Sequence, residues 1–188
     1  MILHQFNDFT IEIINEPTFK FKSKDNNFNY SKHYFGGNIS EEPTSKHGIK
    51  VYNDNLIIYN CIICVSGGMT LIHTNSTIFN DEKLLICCSN SIFCLSLPTL
   101  DKIWETTSDL VTCFQIFKLQ EEYLIHGEHQ ITKLDKDGKL KWEFSGSDIF
   151  VTTNNDEEFK IERDGIILTD FSNTKYKLDF DGNFIWSK

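Results

Sequence analysis

The stretch LDKDGKLKWEF, Leu134 to Phe144, is echoed near the end of the chain by LDFDGNFIW, Leu178 to Trp186. A looser third copy, LSLPTLDKIW, runs from Leu95 to Trp104. Trp104, Trp142 and Trp186 thereby recur at a spacing of roughly 40 residues, the period of a propeller blade. A second marker runs alongside, in EKLLI (Glu82 to Ile86), EEYLI (Glu121 to Ile125) and EEFKI (Glu157 to Ile161). Two markers that keep one order and nearly one period define a repeat, and a repeat buries its apolar face only by stacking on its neighbours.

Within a unit the chain alternates apolar and polar residues in short runs, as in TCFQIFKL, EYLIHGE, HQITKLD and KLKWEFS. The breaks KDGK (Lys136 to Lys139) and FDGN (Phe180 to Asn183) each hold an Asp-Gly, whose glycine accepts the positive φ that a tight hairpin demands. Each unit therefore reads as four antiparallel strands. Composition agrees: the chain has no alanine and one arginine, Arg163, and is rich in β-branched and aromatic residues suited to a pleated surface. The expected fold is all-β, a small or partial β-propeller-like array of four-stranded antiparallel units.

The step Leu-Asp, variable residues, Gly, then apolar-x-Trp resembles the blade motif of pyrroloquinoline-quinone-type β-propellers, in about three copies between Met69 and Lys188. The resemblance implies a fold and leaves function open, since propellers host many activities. A quinone is not carried over: the chain is short for seven or eight blades, and its first copy has Pro98-Thr99 where the others have Asp-Gly. No cofactor is expected.

Residues 1–188 read as a single domain. In residues 1–49 the sequence predicts an irregular segment with one strand, TIEIIN (Thr10 to Asn15), and then a polar loop or lid. Residues 50–68 read as a shortened unit, because VYNDNLIIYNC (Val51 to Cys61) echoes IFNDEKLLICC (Ile78 to Cys88), and residues 69–188 as about three blade-like repeats.

Catalytic signatures are missing: there is no GxSxG, GxGxxG, GxxxxGK[ST] or HExxH. Cys61-x-x-Cys64 lacks a second CxxC, and strand residues three apart face opposite ways, so the pair is expected to be core thiols. All six cysteines (Cys61, Cys64, Cys87, Cys88, Cys94, Cys113) are expected as free thiols in apolar strands, with one of the adjacent Cys87 and Cys88 facing outward. Asp135/Asp137 and Asp179/Asp181 read as turn formers, because a calcium loop needs further ligands. No catalytic residue and no metal site is assigned.

The formal charge of -9 argues against nonspecific nucleic-acid binding, which relies on Lys and Arg. The N-terminus MILHQFNDFTIEI carries neither a cationic leader nor a sustained apolar run, and LIIYNCIICV is too short for a bilayer. A cytoplasmic protein without membrane contact is expected, with a basic protein as partner. The leading expectation is a non-enzymatic acidic binding protein, in its sharpest form a bacterial immunity protein that neutralises a toxin domain such as a nuclease. Its partner-binding residues are expected on turns between the first and second strands of successive units: Glu121, Glu122, Asp156, Glu157 and Glu158. The alternatives are an enzyme or a ligand or metal sensor using the propeller channel, with His126, His129 or the cysteines at its mouth, and a structural module of a larger assembly.

Overall fold

The computed structural model describes residues 1–38, 42–153 and 157–188, and the apolar alternations of the sequence run as strands through four sheets. Sheet 1 holds β1 (Ile2–Phe6), β2 (Phe9–Asn15), β3 (Lys32–Gly36), β4 (Ser45–Asn53) and β5 (Leu56–Val65), in the spatial order β1-β2-β4-β5-β3. A single 3-10 turn at Thr74–Ser76 leads into sheet 2: β6 (Thr77–Asn80), β7 (Lys83–Cys88), β8 (Ser91–Ser96) and β9 (Lys102–Thr107). Sheet 3 holds β10 (Cys113–Leu119), β11 (Glu122–Gly127), β12 (Ile131–Leu134) and β13 (Leu140–Phe144). Sheet 4 holds β14 (Phe159–Glu162), β15 (Gly165–Thr169), β16 (Lys175–Leu178) and β17 (Phe184–Ser187). Sheets 2 to 4 are simple antiparallel meanders, while sheet 1 adds β3 parallel to β5 at its edge.

The three tryptophans occupy one structural position. Trp104 pairs with Cys94, Trp142 with Lys133 and Trp186 with Lys177, each beside a bulge at the start of the fourth strand. The repeated Asp-Gly has its explanation here. Gly138 (φ 78°) lies under the ring of Trp104, where an added Cβ would come within 2.5 Å of the indole, and Gly182 (φ 83°) lies under Trp142 in the same way at 2.6 Å. Glycine thus serves both the left-handed turn and the close approach of the preceding sheet's tryptophan. Its aspartate shapes the loop: Asp135 Oδ1 accepts from the amides of Asp137 (2.8 Å) and Lys139 (2.9 Å), and Asp179 Oδ1 from those of Asp181 and Asn183 (both 2.9 Å). In sheet 2 the glycine's place is taken by Leu100 at φ 61°, which is fully buried and accepts a 2.7 Å bond from the Tyr34 hydroxyl. Strand β3 so supplies the aromatic that sheet 1 lacks on its fourth strand.

Consecutive sheets stack through buried clusters. Ile11, Ile49 and Ile63 of sheet 1 meet Leu84, Ile86 and Phe93 of sheet 2. Leu85, Cys87 and Ile92 on the opposite face of sheet 2 meet Ile116, Tyr123 and Ile125 of sheet 3. Leu124 and Ile131 of sheet 3 meet Ile166, Leu168 and Leu178 of sheet 4. Because sheets 2 and 3 are covered on both faces, β7 reads KLLICC with almost no polar break. Among the described residues no buried cluster joins sheet 4 to sheet 1, so the array is an open arc.

Three expectations are corrected. Residues 1–49 hold β1, β2, β3 and the start of β4 rather than one strand, and with residues 50–65 they complete a full sheet in place of a shortened unit. Asn7 at φ 51° closes the β1–β2 hairpin without a glycine, and β3 hides in a polar stretch because only its Tyr34 faces the core. The marker EEFKI does not match EEYLI in position: it enters β14, a first strand, whereas Glu82 and Glu121 precede the second strands β7 and β11. Apolar alternation is the same in both strand types, which is why the sequence matched them. Cys87 and Cys88 are both fully buried, since neither face of β7 is free, and burial pushes both thiols up. All six cysteines are buried free thiols, Cys61 facing sheet 2 and Cys64 the opposite face.

Candidate functional site

In a meander the first and third hairpin turns share one end of the sheet. Here that end collects carboxylates. The β1–β2, β6–β7, β10–β11 and β14–β15 hairpins are tight two-residue turns, and the second turn residue is acidic in every sheet: Asp8, Glu82, Glu121 and Asp164. The third turns of the sheets add Asp54, Asp101, Asp135 with Asp137, and Asp179 with Asp181. Asp8, Glu82 and Glu121 make no side-chain ion pair among the described residues, while Asp164 is held below the usual carboxylate range by Lys177, 2.8 Å away. Beside the third turns, the fourth strands expose apolar side chains: Leu56, Ile103, Leu140 and Phe184. The end therefore carries, once per sheet, a first-turn carboxylate and an exposed apolar residue, while the third-turn Asp101 and Asp137 are paired with Lys32 (2.6 Å) and Lys136 (2.8 Å).

The expected partner-binding residues separate into two places. Glu121 is on this end. Glu122, its neighbour, is occupied within sheet 3: it pairs with Lys133 at 2.7 Å and with Lys141, and those two ammonium groups lower its pKa. Glu157 and Glu158 lie at the other end of the strands, where Glu158 O accepts from the Thr169 amide (3.0 Å) and Glu157 O from the Thr169 hydroxyl (3.3 Å). They precede β14 instead of following it, so the expectation that all these acids fall between first and second strands is corrected. Asp156 lies outside the described residues. Repetition does place similar carboxylates in register, but the register is Asp8, Glu82, Glu121 and Asp164. The tight-turn spacing in the sequence carried that signal; the misaligned EEFKI obscured it.

The axial side of the arc, where first strands face one another, holds a groove of about 390 Å³ lined by Asn75, Gln115, Phe117, Glu157, Glu158 and Phe159. Neither His126 nor His129 lines it. His126 is buried behind Phe159, its ring stacked at 5.1 Å; its Nε2 donates to Phe150 O at 3.2 Å, and burial lowers its pKa to about 4. His129 Nδ1 is 3.8 Å from Asp109, a carboxylate already engaged by the amides of Val111, Thr112, His129 and Gln130. Among the described residues no group of three or more His, Cys, Asp or Glu is placed to hold a metal ion, and no helix is long and apolar enough to cross a membrane. Ser66-Gly67-Gly68 is firmly seated: Gly68 N donates to Val111 O at 2.9 Å, and Thr44 and Ser45 hydroxyls donate to Gly68 O.

No family model and no curated protein matches the chain. Among solved structures it is similar to BamB from Moraxella catarrhalis, with TM-score 0.50 and 13% identity, over 75% of this chain and 43% of that one. It is also similar to the computationally designed Ika8 protein, with TM-score 0.52 and 7% identity, over 99% of this chain and 60% of that one. The chain thus spans less than two thirds of the length of either structure. Identities this low speak to fold alone. BamB is a β-propeller protein of the pyrroloquinoline-quinone-like kind, and this chain is an all-β, β-propeller-like array of antiparallel sheets.

Proposed function

We propose that this protein is a non-enzymatic binding protein whose acidic turn end captures a basic protein partner. The observation that carries the reading is the recurrence of one carboxylate, Asp8, Glu82, Glu121 and Asp164, at the same turn position of four stacked sheets. Such a row focuses a negative field along one edge and speeds capture of a positively charged surface. The exposed apolar residues beside the turns, Leu56, Ile103, Leu140 and Phe184, suit a partner that alternates basic and apolar groups. In its sharpest form the reading is a bacterial immunity protein, acting in the cytoplasm, that covers the basic surface of a toxin domain such as a nuclease. The net charge of -9 supports a basic partner.

The test pairs pull-down from the native cell with rescue of cells expressing a toxic neighbouring gene. Association of the captured partner is then timed for Glu82→Lys/Glu121→Lys and for Glu157→Lys/Glu158→Lys. The first double variant is expected to slow association about tenfold at low salt, with the effect shrinking as salt screens the field, and the second to change it little. An unchanged rate for the first with a slowed rate for the second moves the interface to the axial groove. Unchanged rates for both remove the electrostatic reading.

A further inference from the structure

The segment that breaks the repeat, between β2 and β4, folds over the outward face of sheet 1. Phe19, Phe28 and Tyr30 pack there on Ile62 and Cys64. The cover is tight at one end: Gly48 lies against the Tyr30 ring, where any Cβ would overlap the phenol. At the other end it leaves a cavity of about 570 Å³. Its floor is three side chains abreast across β4, β5 and β3, since Lys46 pairs with Cys64 and Cys64 with Phe35. Its walls are Phe19, Phe21 and Pro43, with Lys20 at the rim. The Phe21 and Phe35 rings meet edge to face at 5.0 Å while remaining 50% and 40% exposed, an apolar surface that the fold itself leaves uncovered.

The charge in this cavity is asymmetric. The Lys46 side chain is only 7% exposed, and its ammonium donates to Phe19 O at 2.9 Å and to the Glu42 carboxylate at 2.9 Å. A buried ammonium requires a counter-charge, and here it is a side chain that itself stands largely in solvent: Glu42 is 76% exposed. The carboxylate is the member of the pair free to swing aside, provided another anion takes its place, whereas the lysine cannot leave. The fixed charge of the site is positive, Lys20 reinforces it, and the apolar part of the lining is mostly phenylalanine, with Asn38 and Ser66 adding polar edges. Apolar walls with a few oriented polar groups are the general form of a small-molecule pocket.

We propose that this cavity binds a small amphipathic carboxylate, an aryl or alkyl carboxylic acid whose apolar part fills the Phe19–Phe21–Phe35 walls and whose carboxylate takes the place of Glu42 on Lys46. Cys64 on the floor is a neutral packing surface, its thiol pushed up to about 12 by burial. The site is independent of the acidic turn end: it lies on the outward face of sheet 1, toward Ser66 at the opposite end of the strands.

The test titrates the isotope-labelled full chain with hydrocinnamate, with its neutral amide and with phenethylamine, following backbone amides by NMR. Hydrocinnamate is expected to shift the Phe19, Phe35 and Cys64 amides saturably, and the amide to bind about tenfold more weakly. Lys46→Met, which keeps the aliphatic stem, should abolish the preference for the acid. Absence of saturable shifts with hydrocinnamate, equal affinity for acid and amide, or tighter binding of the amine each overturns the proposal. Should Lys46→Met not fold, Phe35→Ser decides: hydrocinnamate should bind it about tenfold more weakly, and unchanged affinity overturns the proposal.

Discussion

The two ends of the stack solve one problem in opposite ways. Each terminal sheet has a face that no further described sheet covers. On sheet 1 the chain folds back and buries Phe19 and Tyr30 there, 5% and 4% exposed. On sheet 4 no described segment folds back, and the face is charged instead. Its composition is plain when set against the equivalent positions of sheet 3, which face a neighbour. Phe117, Ile131 and Phe144 of sheet 3 correspond to Lys160, Lys175 and Lys188 of sheet 4, and Leu119 corresponds to Glu162. Lys177 bridges Glu162 (3.4 Å) and Asp164 (2.8 Å), and Lys188 lies 4.9 Å over the Trp186 ring. A polar outer face of this kind suits a sheet face that no neighbouring sheet covers. The comparison teaches that a cover made of chain can leave a cavity, whereas a cover made of charge leaves only a surface.

Acid should strike both ends of the stack, and with the largest effect. His47, on the β4 face that packs against sheet 2, is fully buried, and His126 is buried where sheet 4 packs on sheet 3. Burial lowers each pKa from 6.5 to about 4. Their neutral forms are favoured in the folded state, so stability is complete above pH 6.5 and falls as pH drops toward 4. The loss should be about 3 kcal/mol per histidine across that window. Urea unfolding across it checks this, and a profile that stays flat between those limits would falsify the burial argument.

Next in size, Phe19→Ala at the covered end should cost about 3 kcal/mol, whereas Trp186→Ala at the charged end should cost under about 1 kcal/mol. Chemical denaturation of both variants measures the difference; equal costs would mean that the Trp186 face is covered in solution. The smallest contrast is between two equivalent lysines. Lys133, whose ammonium donates to Phe180 O at 2.7 Å and pairs with Glu122 beneath sheet 4, should cost about 1.5 kcal/mol on replacement by methionine. Lys177→Met, on the open face, should cost under about 0.5 kcal/mol.

Much of this architecture was written in local patterns. Asp-Gly with a following tryptophan is legible because a turn's φ demands glycine, and its recurrence gave the four-stranded units and their order from Met69 onward. Sheet 1 was not legible for the complementary reason. Its first hairpin turns on Asn7, and its third on Asp54 and Asn55, all at positive φ without glycine, so the expected punctuation is missing. Strand β3 pairs parallel with a partner far along the chain, a contact no local pattern announces.

Which carboxylates stand together was likewise beyond the string. EEYLI and EEFKI look alike because first and second strands share a two-residue alternation, and only pairing to β15 shows that Glu157 and Glu158 precede a first strand. The sequence by itself determined the strand-rich class, the repeat and the placing of the cysteines in apolar strands, since propensity, turn chemistry and apolar spacing act over a few residues; that Cys87 and Cys88 are both covered was decided by the sheets on either side. Tertiary structure alone decided that Asp8, Glu82, Glu121 and Asp164 form one row, and that Lys46, Cys64 and Phe35 floor one cavity. Both depend on register between strands distant in the chain, and register is set by which faces become buried when the sheets stack.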